Sequence, residues 1–359
     1  MPKQRNPENQ GLPKRWRFTR NAYYYQVPPG QEFNWEGKQT FKLGNTLPSA
    51  YRTWAERLEV LEEAKTINDL LDRYALEIIP TKAVSTQYDN ALYTNNLKKV
   101  FGRMQITAIE PVHIYQYLDK RSKKKSDGTG GLTIAKREIA MLSDAFTKAV
   151  RWGLIRKHPF KGEVVYKSEK PRTRYIENWE LDAFLSLSPK RRKDPTRVIQ
   201  AYTNLKVLTG LRQQDLLSLK VTDLKEDGVH VTPLKTKNST GKSFIIEWTA
   251  TLRKSINLAL SVRPVDLSPY VFCTRRGFSY YHPEKASPAT GWQSMWKRYM
   301  KRAVEETDLT EHFTEHDLRA KTASDLDNVE HAQRLLAHAD IKITQRVYRR
   351  KPEKVKPAR

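Results

Sequence analysis

Residues 315–326, EHDLRAKTASDL, set a histidine and an arginine three positions apart, at His316 and Arg319. Thr314 stands before them as an N-cap, so the spacing predicts a helix whose first turn carries both side chains on one face. Free backbone N–H groups at such a helix start already favour an anion. Generic helix sequence yields His-x-x-Arg often, and the stretches around this one make it informative. They are LTGLRQQDLLSL (208–219), PLKTKNSTGKS (233–243), RLLAHAD (334–340) and ITQRVYRRK (343–351). With residues 315–326 they hold Arg212, Lys235, His316, Arg319, His338 and Tyr348. Every member except Tyr348 can donate a hydrogen bond to a phosphate oxygen while charged, and Tyr348 can be a nucleophile.

The elements carrying these residues follow from local pattern. TRVIQAYTNLKVLTG reads as an amphipathic helix (Val198, Ala201, Tyr202, Leu205, Leu208) that stops at Gly210, with Arg212 opening the next helix. Asp215, one turn along, is placed to hold Arg212, although such a pair on a surface adds only a few tenths of a kcal/mol. EDGVHVTPL, the polar loop KTKNSTGK and SFIIEW predict a hairpin with Lys235 where the first strand enters the tip, and Lys237 and Lys242 compete with it. Asn178 is expected to cap WELDAFLSL, and Trp292, Trp296 and Met300 to be core. His338 is expected at a further helix start, before IKITQRVYRR. Tyr348 is the only tyrosine after Tyr299, and Arg349, Arg350 and Lys351 follow it, where they would lower the cost of a phenolate and bind phosphate.

Toward the N-terminus the pattern changes twice. Residues 66–160 read as four helices in a bundle: one headed by Thr66, one ending at Gly102 as a C′ glycine, one begun near Pro111, and one with Ala135, Ile139, Leu142, Phe146 and Ala149 on a single face. Its basic run, Arg121 to Lys125 with Lys123 and Lys124 foremost, is either a solvated helix end or a phosphate clamp. Residues 1–60 alternate cationic and aromatic side chains between turn signals at Pro28-Pro29-Gly30 and Glu36-Gly37, which predicts three short strands and then a helix capped by Ser49 with Tyr51, Trp54, Leu58 and Leu61 in phase. So small a sheet holds little core, and Arg15, Arg17, Arg20, Lys38 and Lys42 are expected to contact DNA, a small ribbon being of a size to enter the major groove. Residues 161–174, with Lys161, Lys167, Lys170, Arg172 and Arg174, are expected to be a basic linker lying along a DNA backbone.

The totals agree. Sixty-five Lys and Arg against forty Asp and Glu give a formal charge of +25, spread along all 359 residues, and nucleic acid is the commonest partner for such a chain. One cysteine, Cys273, excludes an internal disulfide and fits a reducing compartment. No apolar run approaches the roughly 20 residues of a membrane span, and no signal-peptide core follows Met1, so a cytoplasmic protein without a membrane partner is expected. No carboxylate cluster of metal-ligand type surrounds the motifs and no phosphate-binding glycine loop is present, so neither a metal nor another cofactor is expected.

The six residues and their order resemble the tyrosine recombinase (phage integrase) family. The resemblance implies a multidomain chain: a β-rich arm-type DNA-binding module (1–60), an all-α core-binding domain (66–160), a linker (161–174) and a mainly α, α+β catalytic domain with a small sheet (175–359). It implies that Arg212 and Arg319 clamp the scissile phosphate, that Lys235, which precedes Thr236 as the family's lysine usually does, protonates the departing 5′ oxygen, and that His316 handles protons. By the same resemblance His338 donates a further hydrogen bond, Asp215 steadies Arg212, and Tyr348 attacks to give a 3′-phosphotyrosyl bond. The implied partners are attachment sites on double-stranded DNA, a homotetramer on that DNA, a DNA-bending host factor and an excision or directionality factor. Two departures stand out: Ala337 occupies a position where the family often has Gly, and Tyr348 follows His338 by ten residues, one more than the commonest spacing. A type IB topoisomerase shares the chemistry, but the separate arm module argues for integration. A DNA-binding or architectural protein that has lost catalysis would have no use for Tyr348.

Overall fold

Trp16–Thr19 (β1), Ala22–Gln26 (β2) and Thr40–Gly44 (β3) pair antiparallel in the order β1-β2-β3. Arg20 and Asn21 link β1 to β2 with φ of 49° and 56°, the mirror-image two-residue turn whose twist matches that of the strands. Alternation then sorts the side chains: Trp16, Tyr23, Tyr25, Phe41 and Leu43 face inward, whereas Arg17 lies opposite Tyr24 and Tyr24 opposite Lys42 on the outer face. Leu47–Glu56 (α1) covers the inner face. Its cap is Thr46, not Ser49: the Ser49 N–H donates to Thr46 Oγ1 at 3.3 Å and the Thr46 N–H to Ser49 Oγ at 3.2 Å, a reciprocal pair that starts the helix three residues earlier than expected.

The computed structural model describes residues 9, 11–29, 32–56, 66–123, 131–165, 171–191, 194–237 and 241–352. The expectations for Leu58, Leu61, Lys124, Lys167, Lys170, the hairpin tip at 238–240 and the tail after Pro352 lie outside the described residues. The chain divides into two compact units, Met1–Glu169 with Glu284–Ala286, and Lys170–Pro283 with Ser287–Arg359.

In the first unit the helices are Ile67–Glu77 (α2), Val84–Phe101 (α3), Pro111–Ser122 (α4) and Leu132–Arg151 (α5). Thr66 and Asp69 cap α2 reciprocally, and Ala135, Ile139, Leu142, Phe146 and Ala149 of α5 are buried. One apolar cluster runs from Leu12 through the sheet and α1 to Phe160. Gly102 ends α3 with φ −55°, so it is not a left-handed C′ residue. A Cβ there would stand 2.3 Å from Asn68 Oδ1, and close packing is what requires glycine. Arg121 forks onto Glu138, which also receives Tyr117 and Asn96, so this member of the basic run is a strut of the bundle and not a phosphate clamp.

The second unit contains Asn178–Leu185 (α6), Thr196–Thr209 (α7), Gln213–Leu217 (α8), the hairpin Gly228–Val231 (β4) with Phe244–Glu247 (β5), Ala250–Ser261 (α9), Thr290–Glu306 (α10), Glu315–Asp325 (α11), Val329–Leu335 (α12) and Ile341–Ile343 (α13). Trp292, Trp296 and Met300 are core. Glu177 caps α6 in a reciprocal pair with Glu180, while the Asn178 side chain, expected as the cap, accepts from Lys321 instead. His338 does not open a helix. It closes α12: the Ala337 N–H donates to Arg334 O at 3.0 Å and the His338 N–H to Gln333 O at 3.1 Å, with Ala337 left-handed at φ 47°. The alanine therefore stands at a helix exit, where glycine would be free of strain, and not at an entry.

Candidate active site

Helix α7 ends at Gly210, whose φ is 60° and whose missing Cβ lets Leu336 and Thr322 approach; a Cβ would lie 3.2 Å from each side chain. Its carbonyl accepts from Arg319, a side chain only 2% exposed. The Arg319 guanidinium also donates to Leu336 O at 2.5 Å and to His338 Nε2 at 3.0 Å, while its Nε meets no partner. Burial first, and then the Arg212 charge, lowers the Arg319 pKa to about 10. Arg212 is the extended N-cap residue of α8 and half-buried, and no hydrogen bond or ion pair reaches its guanidinium from a described residue.

The two imidazoles are neutral. Burial, then the Arg319 charge, lowers the His316 pKa to about 4, and burial with Arg319 and Arg212 lowers that of His338 to about 3. Arg319 can only donate, so His338 Nε2 must accept and its proton sits on Nδ1, which donates to Thr344 Oγ1 at 2.8 Å. In the chain without DNA, then, neither histidine is a cation near neutrality, and the His338 Nδ1–H is turned to Thr344.

Tyr348 is 8% exposed and closes a single π-turn, Thr344–Tyr348, that continues α13. Its ring centroid lies 4.6 Å from that of His338 and 5.2 Å from that of His316, with Arg319 Cζ 5.4 Å from the ring centre. All four belong to one chain. The segment is pinned from behind: Ser324 Oγ donates to Tyr348 O and accepts from the Arg350 N–H, each at 2.8 Å. The Arg350 guanidinium meets the buried Asp317 at 2.6 Å and Arg174 O at 3.0 Å. Asp317 also completes the cap of α11 with Thr314, so one carboxylate starts the helix bearing His316 and fastens the segment bearing Tyr348. Arg350 is thus a tether and not the free phosphate ligand expected of it, and Arg349 and Lys351 likewise reach back, to Asp327 O and Asp325.

Asp215 is a further correction. No ion pair joins it to Arg212 among the described residues. It accepts from the Leu234 N–H at 2.8 Å, anchoring the hairpin one residue before Lys235. Burial raises its pKa, against that hydrogen bond and the Arg212 charge. Lys235 is exposed on the turn after β4, and its charge contributes to the depression at His338.

The expected DNA contacts fall into two groups. Arg15, Arg17, Arg20, Lys42 and Lys123 are exposed, and Lys38, also exposed, pairs with Glu36 at 2.7 Å. Arg174 grips Glu180 and Glu311, and Arg172 meets Asp317 at 3.0 Å, so these two linker cations are held by carboxylates and brace the site instead of lying free. Sequence reading passed over Lys206, Glu315, Asp317, Ser324 and Thr344. Only Lys206 left a signal, as a charged residue four positions after Tyr202 on the apolar face of α7.

The phage integrase family model matches residues 174–354. A putative integrase/recombinase of Haemophilus influenzae is 25% identical over 182 residues, 47% of this chain and 48% of that protein, so the chain spans about half the length of the curated relative it matches. Among solved structures, a lambda integrase dimer bound to a COC' core site has a TM-score of 0.62 at 18% identity, covering 98% of this chain and 99% of the other. A lambda integrase tetramer bound to a Holliday junction has a TM-score of 0.61 at 19% identity, covering 99% of each. The Tn1549 transposon integrase in complex with circular intermediate DNA has a TM-score of 0.60 at 16% identity, covering 78% of this chain and 94% of the other. The fold is that of these proteins, mainly helical with small sheets.

Proposed function

The chain belongs to the phage integrase family, and we propose that it is a site-specific DNA recombinase that integrates, and also excises, a mobile element through a 3′-phosphotyrosyl intermediate. The observation that carries this reading is the Tyr348 phenol packed at a tilt against two neutral imidazoles and beside a buried guanidinium of its own chain.

Arg212 and the unpartnered Nε edge of Arg319 bind the non-bridging oxygens of the scissile phosphate, and the charge they supply there is what phosphoryl transfer chiefly needs. His316, neutral down to about pH 4, accepts the phenol proton as Tyr348 attacks phosphorus. The P–O bond to the 5′ oxygen breaks, and Lys235 protonates that leaving oxygen. A 5′-hydroxyl of a partner strand later attacks the phosphotyrosine and releases Tyr348, so strands rejoin without another energy source. His338 sets the angle of Arg319 through Nε2. The outer row of exposed Arg17, half-buried Tyr24 and exposed Lys42 offers a separate surface for duplex DNA. The active form is a homotetramer on paired attachment sites, by analogy with the lambda integrase tetramer on a Holliday junction.

A library of nicked duplexes randomised around the nick tests this. The protein is incubated with it, and SDS-stable adducts are recovered, sequenced and resynthesised. Tyr348→Phe is expected to abolish the adduct while still binding the recovered duplex. Absence of any Tyr348-dependent adduct would leave a DNA-binding protein, and an adduct with relaxation but no exchange between two sites would leave a topoisomerase.

A further inference from the structure

Lys206 lies on α7, 2% exposed, with its Nζ 5.7 Å from the centre of the Tyr202 ring. No hydrogen bond or ion pair reaches that Nζ from a described residue. A buried ammonium with a ring face beside it but no hydrogen-bond acceptor or counter-charge is costly, and chains keep one where it serves a ligand. The groups acting on it come from three elements: Tyr202 of α7, Arg212 and Asp215 at α8, and Glu315, His316 and Arg319 of α11. Glu315 is already engaged by Tyr202 at 2.5 Å, Gln213 at 2.6 Å and Trp292 at 3.0 Å, which leaves Lys206 without a carboxylate of its own. Two other donors of the same site also lack a partner among the described residues, the buried Arg319 Nε and the half-buried Arg212 guanidinium.

We propose that Lys206 is a further phosphate-contacting residue, its ammonium pairing with a backbone phosphate of bound duplex alongside Arg212 and Arg319. The proposal rests on the recombinase reading for the identity of the ligand. Burial, the largest influence, together with the Arg319 and Arg212 charges and against Glu315 and Asp215, lowers the Lys206 pKa to about 7. Much of the free protein therefore carries a neutral amine there at mildly alkaline pH. An arriving phosphate favours the charged form, so Lys206 takes a proton from solvent as DNA docks and gives it back on release. The charge at Lys206 would thereby be more complete when a phosphate is present to face it.

Calorimetric titration of the full chain with the recovered duplex, in buffers of different ionisation enthalpy, measures that proton. The wild type is expected to take up a fraction of a proton per protomer that grows between about pH 6 and pH 8. His316 and His338, with pKa values of about 4 and 3, add little in that window. Lys206→Met, matched in length and apolar, is expected to lose the uptake, to cleave the nicked duplex roughly 10- to 100-fold more slowly, and to melt no lower than wild type. Lys206→Arg is expected to cleave faster than Lys206→Met. Tyr348→Phe keeps the uptake and forms no adduct, which separates failure of the chemistry from failure of the contact. Absence of uptake by the wild type, or uptake and cleavage by Lys206→Met within about threefold of wild type, would overturn the proposal.

Discussion

Two lysines of the second unit are each 2% exposed, Lys321 on α11 and Lys206 on α7, and they are opposites. Lys321 donates to Ile176 O at 3.0 Å and Asn178 Oδ1 at 2.6 Å and pairs with Asp325 at 3.1 Å. Lys206 meets none of these. The same division runs through the arginines: Arg350 and Arg174 are closed by Asp317 and Glu180, whereas among the described residues no ion pair closes Arg212 or Arg319. Burial alone does not mark a functional cation. What separates the two sets is whether the protein completes the charge itself or leaves it for a ligand.

The comparison breaks most sharply at Asp317. Asp317→Asn leaves the buried Arg350 without its counter-charge and is expected to cost about 3–5 kcal/mol in urea unfolding, while Asp317→Asn with Arg350→Met is expected to recover part of that loss. Asp317 is held below the ordinary carboxylate range: its hydrogen bonds to Thr314 and Arg350 and the Arg172 charge outweigh burial, the largest single influence, which acts the other way. A depressed carboxylate stabilises the fold above its unfolded pKa, near 4, and that stabilisation fades as pH falls through the folded value. A plot of stability against pH should therefore slope down below about pH 4 in the wild type and less in Asp317→Asn. An equal slope in both would remove Asp317 from the closed set.

A smaller effect separates the lysines. Lys321→Met strands the Ile176 carbonyl and Asn178 and is expected to cost about 2–3 kcal/mol. Lys206→Met is expected to leave stability unchanged or higher near neutral pH, since it removes an uncompensated buried charge. Equal losses would mean that both lysines are structural. Smallest of all, Ala337→Gly relieves a left-handed alanine at the exit of α12 and is expected to raise stability by about 0.5–1 kcal/mol in the same assay, without touching either set of cations.

How much of this was legible can be judged residue by residue. Gly210 as a helix stop, the Thr66 and Thr314 caps, the hairpin and the single face of α5 all follow from local chemistry, and the structure has them. The caps at Ser49 and Asn178 were misplaced because a reciprocal cap is a relation between two residues three apart. In each case the favoured single residue was one member or a bystander. The run Tyr348-Arg349-Arg350-Lys351 reads as uniformly basic along the chain. Nothing in it tells which cation will find a carboxylate 33 residues away.

The linear chain determined which groups exist and the period that puts each on a helix face or at a turn, because those depend on contacts within a few residues. It was enough to place Arg212, His316, Arg319, His338 and Tyr348 as one set in order. Tertiary packing alone decided which of the many cations are neutralised and which stay open. It seats Tyr348 between two imidazoles, turns the His338 proton toward Thr344, ties Arg350 to Asp317 and leaves Lys206 with no hydrogen-bond or ion-pair partner among the described residues. Charge compensation is a short-range, three-dimensional property, and only the folded chain brings residues from α7, α8, α11 and the Tyr348 segment within its reach.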